Sequence, residues 1–270
     1  LSLRKAYIEA IGLKNMGFHS AVMKRILKLA WQFHANASLP VLIDGETGTG
    51  KEVIARIIHY GQGDVSTPFI ALNCAAAEPS VLEEELFGCE ESNFTAATVS
   101  GRKGKLDLAR GGTLFLDEIT EMPSALQSQL VRVIKEKEYF RVGGVKVMKA
   151  DVRIIGATRR NIEKEVAQGT FPYDLFCLLN KGRIHLPPLR ERTEDILPLA
   201  TLFLSEFAAE TGKGFEAISQ EAADTILSHD WPGNIKELRN AIQRIVLTSD
   251  DTMLKPAHLA FLNPNSSLAD

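Results

Sequence analysis

Residues 45–52 read GETGTGKE, with the apolar run VLI (41–43) before them and VIARIIHY (53–60) after. A glycine-rich turn joining a strand to a helix is a good phosphate cradle. Gly45, Gly48 and Gly50 permit backbone conformations whose amides point inward, and the following helix adds the positive end of its dipole. Lys51 is placed to reach the outer phosphates, completing G-x-x-x-x-G-K in the strand-loop-helix context that the motif requires. The general pattern continues with Ser or Thr for magnesium, whereas this chain has Glu52. A turn that merely connects two elements is the bland alternative, and the matching context decides for nucleotide.

A second motif strengthens that reading. GGTLFLDEI (111–119) is an apolar strand ending in two adjacent carboxylates. Alone it is a weak signal, but about seventy residues downstream of a phosphate loop it is a strong one. Asp117 would hold magnesium through its hydration shell, and Glu118 would orient and polarise an attacking water.

Outward from these motifs, short apolar runs alternate with helical patterns. Strands are predicted at VLID (41–44), FIAL (69–72), TLFLD (113–117), VRIIGAT (152–158) and RIHL (183–186). Helices fall near 51–60, 79–86, 123–136 and 161–168, several opened by Pro or Asn. Such alternation predicts an α/β fold with a parallel sheet covered on both faces. AVMKRILKLAWQFHA (21–35) has the period of an amphipathic helix, and YFRVGGVKVM (139–148) reads as a hairpin insertion around Gly-Gly. After LPPLRER (186–192) the strands stop. Helical patterns near 194–210, 219–228 and 233–247 predict a small helical domain.

The chain of 270 residues is 45% hydrophobic and 24% charged, ordinary values for a globular protein with a real core. A net charge of −3 gives the whole chain no general attraction for nucleic acid or an anionic membrane. No apolar run approaches the ~18 residues needed to cross a bilayer, and the N-terminus lacks a signal-peptide pattern. Cys74, Cys89 and Cys177 are scattered and never spaced CxxC, so they read as reduced thiols of a cytoplasmic protein rather than a zinc site.

With both motifs in hand, the chain resembles the central AAA+ ATPase domain of the sigma-54-dependent, NtrC-type bacterial transcription activators. Further stretches carry the likeness: ALNCAA (71–76), EELFG (84–88), VRIIGAT, LPPLRER and HDWPGNIKELRNAI (229–242). In that family Glu52 is the usual residue after the lysine. The resemblance implies a linker at 1–16, an α/β nucleotide-binding subdomain at 17–187, a helical lid at 188–262 and a tail at 263–270. It implies ATP and Mg2+ as cofactors. Gly45, Thr47, Gly48, Thr49, Gly50, Lys51, Glu52, Asp117, Thr158 and Lys236 would contact nucleotide or metal. Glu118 and Asn73 would act in catalysis, with Asn73 linking nucleotide state to loop movement through a contact with Glu118. Thr158 would lie in the first sensor segment and Lys236, within GNIKEL, in the second.

Three departures from the family pattern stand out. The loop that touches sigma-54 usually reads GAFTGA, and the aligned residues 92–97 here are SNFTAA, which lack both glycines and the φ > 0 conformations they permit. The segment FREDLYYRLN, whose two arginines serve a neighbouring subunit's site, reads FPYDLFCLLN (171–180), with Pro172 and Leu178 at those positions. Such arginines are worth about a thousandfold or more in phosphoryl transfer. Arg159, Arg160 and Arg183 lie close in sequence as substitutes. The second-sensor arginine is Lys236, which keeps the charge and loses the planar fork. Arg159 itself stands where the family commonly has Asn.

Residues that a subunit uses on its own nucleotide are therefore intact, and those offered outward are altered. One reading is a regulatory, nucleotide-binding module that self-associates, as dimer to hexamer, and regulates RNA polymerase through a sigma factor, with weak hydrolysis. Some divergent relatives respond to cyclic di-GMP, for which Arg102, Arg141, Arg153 and Arg159 are candidates by charge. A second reading is an active ring that hydrolyses ATP and remodels sigma-54 polymerase. A third, an unrelated AAA+ loader or chaperone, is disfavoured by the ELFG…FT and DWPGNIKELRN stretches. The resemblance implies a sensory domain before this stretch and a helix-turn-helix after it. DNA would be met only through that absent domain, and no membrane is involved.

Overall fold

The computed structural model describes residues 18–61, 67–90 and 101–262. The SNFTAA segment (92–97) and the linker and tail expected at 1–16 and 263–270 lie outside the described residues. The chain divides into two compact units, one over Leu27–Gly45 and Lys51–Leu186, the other over Leu1–Ile26, Glu46–Gly50 and Pro187–Asp270.

The first unit holds the sheet. In chain order its elements follow α1 (Ala21–His34): β1 (Val41–Asp44), α2 (Lys51–Tyr60), β2 (Phe69–Asn73), α3 (Pro79–Phe87), β3 (Gly88–Cys89), β4 (Arg102–Lys103), α4 (Lys105–Leu108) and β5 (Thr113–Asp117). Then come α5 (Ser124–Glu136), β6 (Glu138–Tyr139), β7 (Met148–Lys149), β8 (Arg153–Thr158), α6 (Ile162–Ala167), α7 (Tyr173–Leu179) and β9 (Arg183–His185). Five strands pair in the order β2-β5-β8-β1-β9, every pairing parallel. Every residue of β8 is buried, as are Val41–Ile43 of β1, whereas in the edge strand β2 only Leu72 is. Continuous apolar runs at the sheet centre are what burial on both faces demands. α2 buries Ile54, Ala55, Ile57 and Ile58, and α5 buries Leu126, Leu130, Val133 and Ile134, spacings that give each helix one apolar stripe. Leu114, Leu116 and Ile154 share one core cluster with Leu82, Leu86, Leu130 and Leu175. Truncating one such leucine to alanine costs about 2–5 kcal/mol.

Register settles where chemistry is possible. Asp44 pairs with Thr158 and Asn73 with Asp117, so these four residues stand at the carboxyl ends of neighbouring strands, the edge at which open α/β sheets bind ligands. The expected hairpin is present as β6 and β7, paired Glu138 to Lys149 and Tyr139 to Met148. Several short elements lie beyond the sequence reading, among them β3, β4 and α7. β3 and β4 pair Gly88 with Lys103 and Cys89 with Arg102, flanking residues 91–100. The helix α7 follows Pro172 and buries Leu175, Leu178 and Leu179 at helical spacing.

The second unit is a helical lid with α8 (Ile196–Thr211), β10 (Ala217–Ile218), α9 (Gln220–Ser228), α10 (Asn234–Thr248) and β11 (Met253–Leu254). α8 buries Ile196, Leu199, Ala200, Phe203, Leu204 and Phe207 and ends at Gly212, whose φ of 69° suits a left-handed cap. Ser219 caps α9, its side chain accepting from the Ala222 amide. Trp231 is fully buried and donates Nε1–H to the Ile226 carbonyl at 2.9 Å, so its indole pairs as it packs. In the same unit Asp195, also fully buried, accepts from the His19 and Ser20 amides and the Ser20 hydroxyl at 2.6–2.7 Å. Among the described residues no helix is long and apolar enough to cross a membrane.

Candidate nucleotide site

In the sheet unit, α2 starts at Lys51, which is buried and donates its ammonium to the Gly45 carbonyl at 2.8 Å. The Gly45 amide donates in turn to the Thr158 carbonyl at 3.2 Å. Glu118 Oε1 lies 3.8 Å from Lys51 Nζ. Burial pulls the Lys51 ammonium below its ordinary pKa, opposed by the carboxylates of Glu118 and Asp117. Burial pushes Asp117 the other way, above the usual carboxylate range, and the adjacent Glu118 adds to it. A desolvated cation beside two crowded carboxylates fits a nucleoside phosphate and a divalent metal, since the phosphates would meet the ammonium and the metal would relieve the carboxylates. Among the described residues no group of three or more His, Cys, Asp or Glu side chains stands ready to hold a metal alone. Magnesium delivered with phosphates and water needs only one or two carboxylates.

Glu118 adopts φ 53°, ψ 51°, the left-handed region. Its Oε2 accepts the backbone N–H of Arg159 at 3.1 Å. Asn73, at the end of β2, makes no hydrogen bond to Glu118 here; its side-chain oxygen accepts the Ala75 amide at 2.9 Å in a tight local turn. Thr158 is fully buried, its hydroxyl 2.8 Å from that of Thr120 and accepting from the Arg160 amide. Glu52 is exposed and pairs with Arg56 one turn along α2.

The loop Glu46–Gly50 groups with the lid unit, and lid residues grip it from several directions. Asn234, buried with a φ of 55°, donates to the Thr47 carbonyl at 3.0 Å and to Glu46 Oε2 at 3.1 Å, while its own oxygen accepts from the Leu189 amide. The Ile235 amide donates to the Gly48 carbonyl at 3.0 Å. Arg192, fully buried, donates to the Thr49 carbonyl at 2.8 Å. Arg190 forks onto both oxygens of Glu46 at 2.6 and 2.9 Å, which with Asn234 holds that carboxyl down at about 2. Thr49 turns its hydroxyl back to the Glu46 carbonyl at 2.8 Å. Gly48 sits at φ +79°, and a Cβ there would lie 2.2 Å from the Gly233 carbonyl and 3.1 Å from Lys236 Cβ. A Cβ on Gly50, at φ +102°, would meet only Ile235 Cδ1 at 3.8 Å, an ordinary contact. Lys236 thus flanks the loop, and Arg190, Arg192 and Asn234 are site residues that sequence reasoning did not single out. All three fall inside quoted motifs, LPPLRER and WPGN, and their spacing alone says nothing about which carbonyl each would bind.

The arginines proposed as substitutes separate by partner. Arg183 is committed to Asp44 and Glu163, Arg160 to Glu121 and Glu165, and Arg159 to Glu118 and Glu121. Leu178 is 9% exposed and belongs to the core cluster, and Pro172 caps α7. Of the four arginines considered for cyclic di-GMP, Arg102 pairs with Cys89 and Arg141 precedes Val142, which bridges to the same cysteine. Arg141 pairs with Asp107, and Arg153 is buried against the Leu39 and Phe33 carbonyls. Arg153 opens β8 and Arg159 follows its end, so the two are roughly 20 Å apart along one strand.

The family described as the sigma-54 interaction domain matches residues 16–185, and the AAA+ ATPase lid domain matches 190–267. The response regulator protein FleR of Pseudomonas aeruginosa is 44% identical over 241 residues, covering 89% of this chain and 50% of FleR. The nitrogen fixation protein VnfA of Azotobacter vinelandii is 46% identical over 257 residues, covering 95% of this chain and 49% of VnfA. The crystal structure of NtrX from Brucella abortus in complex with ATP aligns with a TM-score of 0.81 at 34% identity, over 91% of this chain and 54% of that one. The chain spans about half the length of the curated relatives it matches. On this fold, this loop and these matches, the chain belongs to the AAA+ sigma-54 interaction family, the core and lid of NtrC-type sigma-54-dependent activators.

Proposed function

We propose that this chain is the ATP-binding central domain of a bacterial transcription regulator, acting in the cytoplasm, whose self-association depends on nucleotide and whose hydrolysis is slow. The observation that carries the reading is the buried Lys51 ammonium set between the Gly45 carbonyl and the Glu118 carboxylate, with Asp117 beside it. In this reading the loop amides and Lys51 take the phosphates, Asp117 takes magnesium through water, and Glu118 orients the attacking water. Thr158 and Lys236 respond to the γ-phosphate from the two sensor positions. Bound magnesium would supply charge neutralisation at the transferring phosphoryl group. Slow hydrolysis is favoured because Leu178 is packed into the core and Arg160 and Arg183 are each tied to two carboxylates of their own unit. A response to cyclic di-GMP is the finer part of this reading, with Arg102, Arg141, Arg153 and Arg159 as its candidates by charge.

The alternative is an active ring that remodels sigma-54 polymerase. It is favoured by the sigma-54 interaction match, which runs through residues 92–97 without a break in its bounds. Phosphate release from ATP, measured over a wide protein concentration range beside Glu118→Ala and paired with sedimentation, separates the two. Assembly with ATP but turnover no greater than Glu118→Ala supports the switch. A specific rate that climbs with concentration and vanishes in Glu118→Ala supports the ring. Failure to bind ATP at all sinks both.

A further inference from the structure

Glu118 is the residue on which hydrolysis turns, and each of its oxygens already faces a cation. Oε1 faces Lys51 at 3.8 Å. Oε2 accepts the Arg159 amide at 3.1 Å and lies 4.0 Å from Arg159 Nε. The same guanidinium reaches on to Glu121, with Nη2 3.5 Å from Oε1, so one planar fork spans two carboxylates. Glu121 is itself anchored by Arg160 at 2.8 Å. The Glu118 side chain is only 13% exposed, so this pairing is screened less than a fully solvated one.

We propose that Arg159 is a positioning residue that restrains Glu118, holding its carboxylate in an ion pair and withholding it from water. The inference rests on the reading of this site as an ATPase. A carboxylate orients an attacking water through an oxygen free to accept its proton. Arriving phosphates draw Lys51 away, yet Oε2 stays bridged to Arg159 and, through it, to Glu121, so the carboxylate is held turned and Oε1 is not swung to where a water would attack. The backbone N–H contact does not depend on the side chain, so a side-chain variant keeps it and removes the guanidinium with its two ion pairs, to Glu118 and Glu121. The contrary reading is a solvated surface charge, since the Arg159 side chain is 54% exposed.

The test compares the whole chain with Arg159→Gln and Arg159→Lys, using mant-ATP for affinity, single-turnover phosphate release with ATP and Mg2+ for chemistry, and thermal melting for folding. The expected result is a roughly fivefold faster release in Arg159→Gln, the size of effect a partly exposed ion pair supports. Nucleotide affinity and melting stay unchanged, and Arg159→Lys, which keeps the charge, remains within about twofold of the unsubstituted chain. A rate at or below that of the unsubstituted chain in Arg159→Gln, with nucleotide still bound, overturns the restraint and leaves the ATPase reading standing. Absence of mant-ATP binding in the unsubstituted chain overturns both.

Discussion

Lys51 Nζ donates to the Gly45 carbonyl at 2.8 Å while standing 3.8 Å from Glu118 Oε1, so one buried ammonium links the start of the phosphate loop to the end of β5. Removing it leaves incoming phosphates without their charge-assisted donor. Hydrogen bonds to charged groups are worth about 1.5–3 kcal/mol, and each 1.4 kcal/mol is tenfold in affinity. Lys51→Ala is therefore expected to weaken ATP binding by about ten- to a hundredfold in calorimetric titration. Unchanged affinity in a folded variant defeats the site assignment.

Gly48 is required for two independent reasons. Its φ of +79° strains any L side chain, and a Cβ would lie 2.2 Å from the Gly233 carbonyl, which is backbone and has little room to retreat. Gly48→Ala is expected to cost roughly 2–4 kcal/mol in denaturant unfolding and to weaken ATP binding in parallel. Gly50→Ala has the strained φ without the clash, with nothing nearer than Ile235 Cδ1 at 3.8 Å, and should cost about 1–2 kcal/mol. Equal costs at the two positions contradict the role given to Gly233.

The Glu46–Arg190 fork predicts a pH dependence with a definite sign. The Glu46 carboxyl is held down at about 2, below its ordinary 4.5, chiefly by the hydrogen bonds from Arg190. A depressed carboxylate contributes stability that is present above the unfolded pKa and lost as pH falls through the folded one. Both side chains are about 40% exposed, so solvent screening limits the contribution to about 1 kcal/mol or less. The stability gap between the unsubstituted chain and Arg190→Gln should be constant near neutral pH and close between pH 4.5 and about 2. A gap that persists at pH 2 points to packing of the Arg190 stem instead.

The elements read correctly from sequence are those whose period or composition is local. VRIIGAT is apolar almost throughout because β8 has sheet neighbours on both sides and is buried along its whole length. The amphipathic stretch at 21–35 became α1 because one stripe of it, Met23, Ile26 and Ala30, is buried. β3 and β4 were not legible, since two residues carry no period, and their pairing is long-range. The helix α7 was masked by Pro172 at its cap and by its length of only 7 residues. At the site, Lys51, Asp117 and Glu118 were readable because phosphate chemistry fixes residue type and spacing. Asn234 was not, because its role depends on a left-handed backbone that brings its amide to Thr47, 187 positions away. The charge of Arg159 was visible in the sequence, but its partner lies 41 positions upstream and no local rule pairs them.

Restoring the family's arginines separates a half-buried helix-cap position from a core one. Pro172, half-buried, caps α7 with extended backbone and carries no capping hydrogen bond, so Pro172→Arg breaks no cap bond. That variant is expected to stay within about 1 kcal/mol of the unsubstituted chain. Leu178 is 9% exposed within the main core cluster, and an arginine there must bury its head or displace α7. Leu178→Arg is therefore expected to cost about 2–4 kcal/mol in denaturant unfolding. An arginine offered to a neighbour acts only in an assembled pair, so any gain from Pro172→Arg should appear solely at concentrations where the chain associates. Reaching about tenfold in phosphate release there means position 172 had been limiting. A gain independent of concentration means the new arginine acts within its own subunit, and no gain at any concentration places the deficit at Leu178 or at the Arg159-bound Glu118.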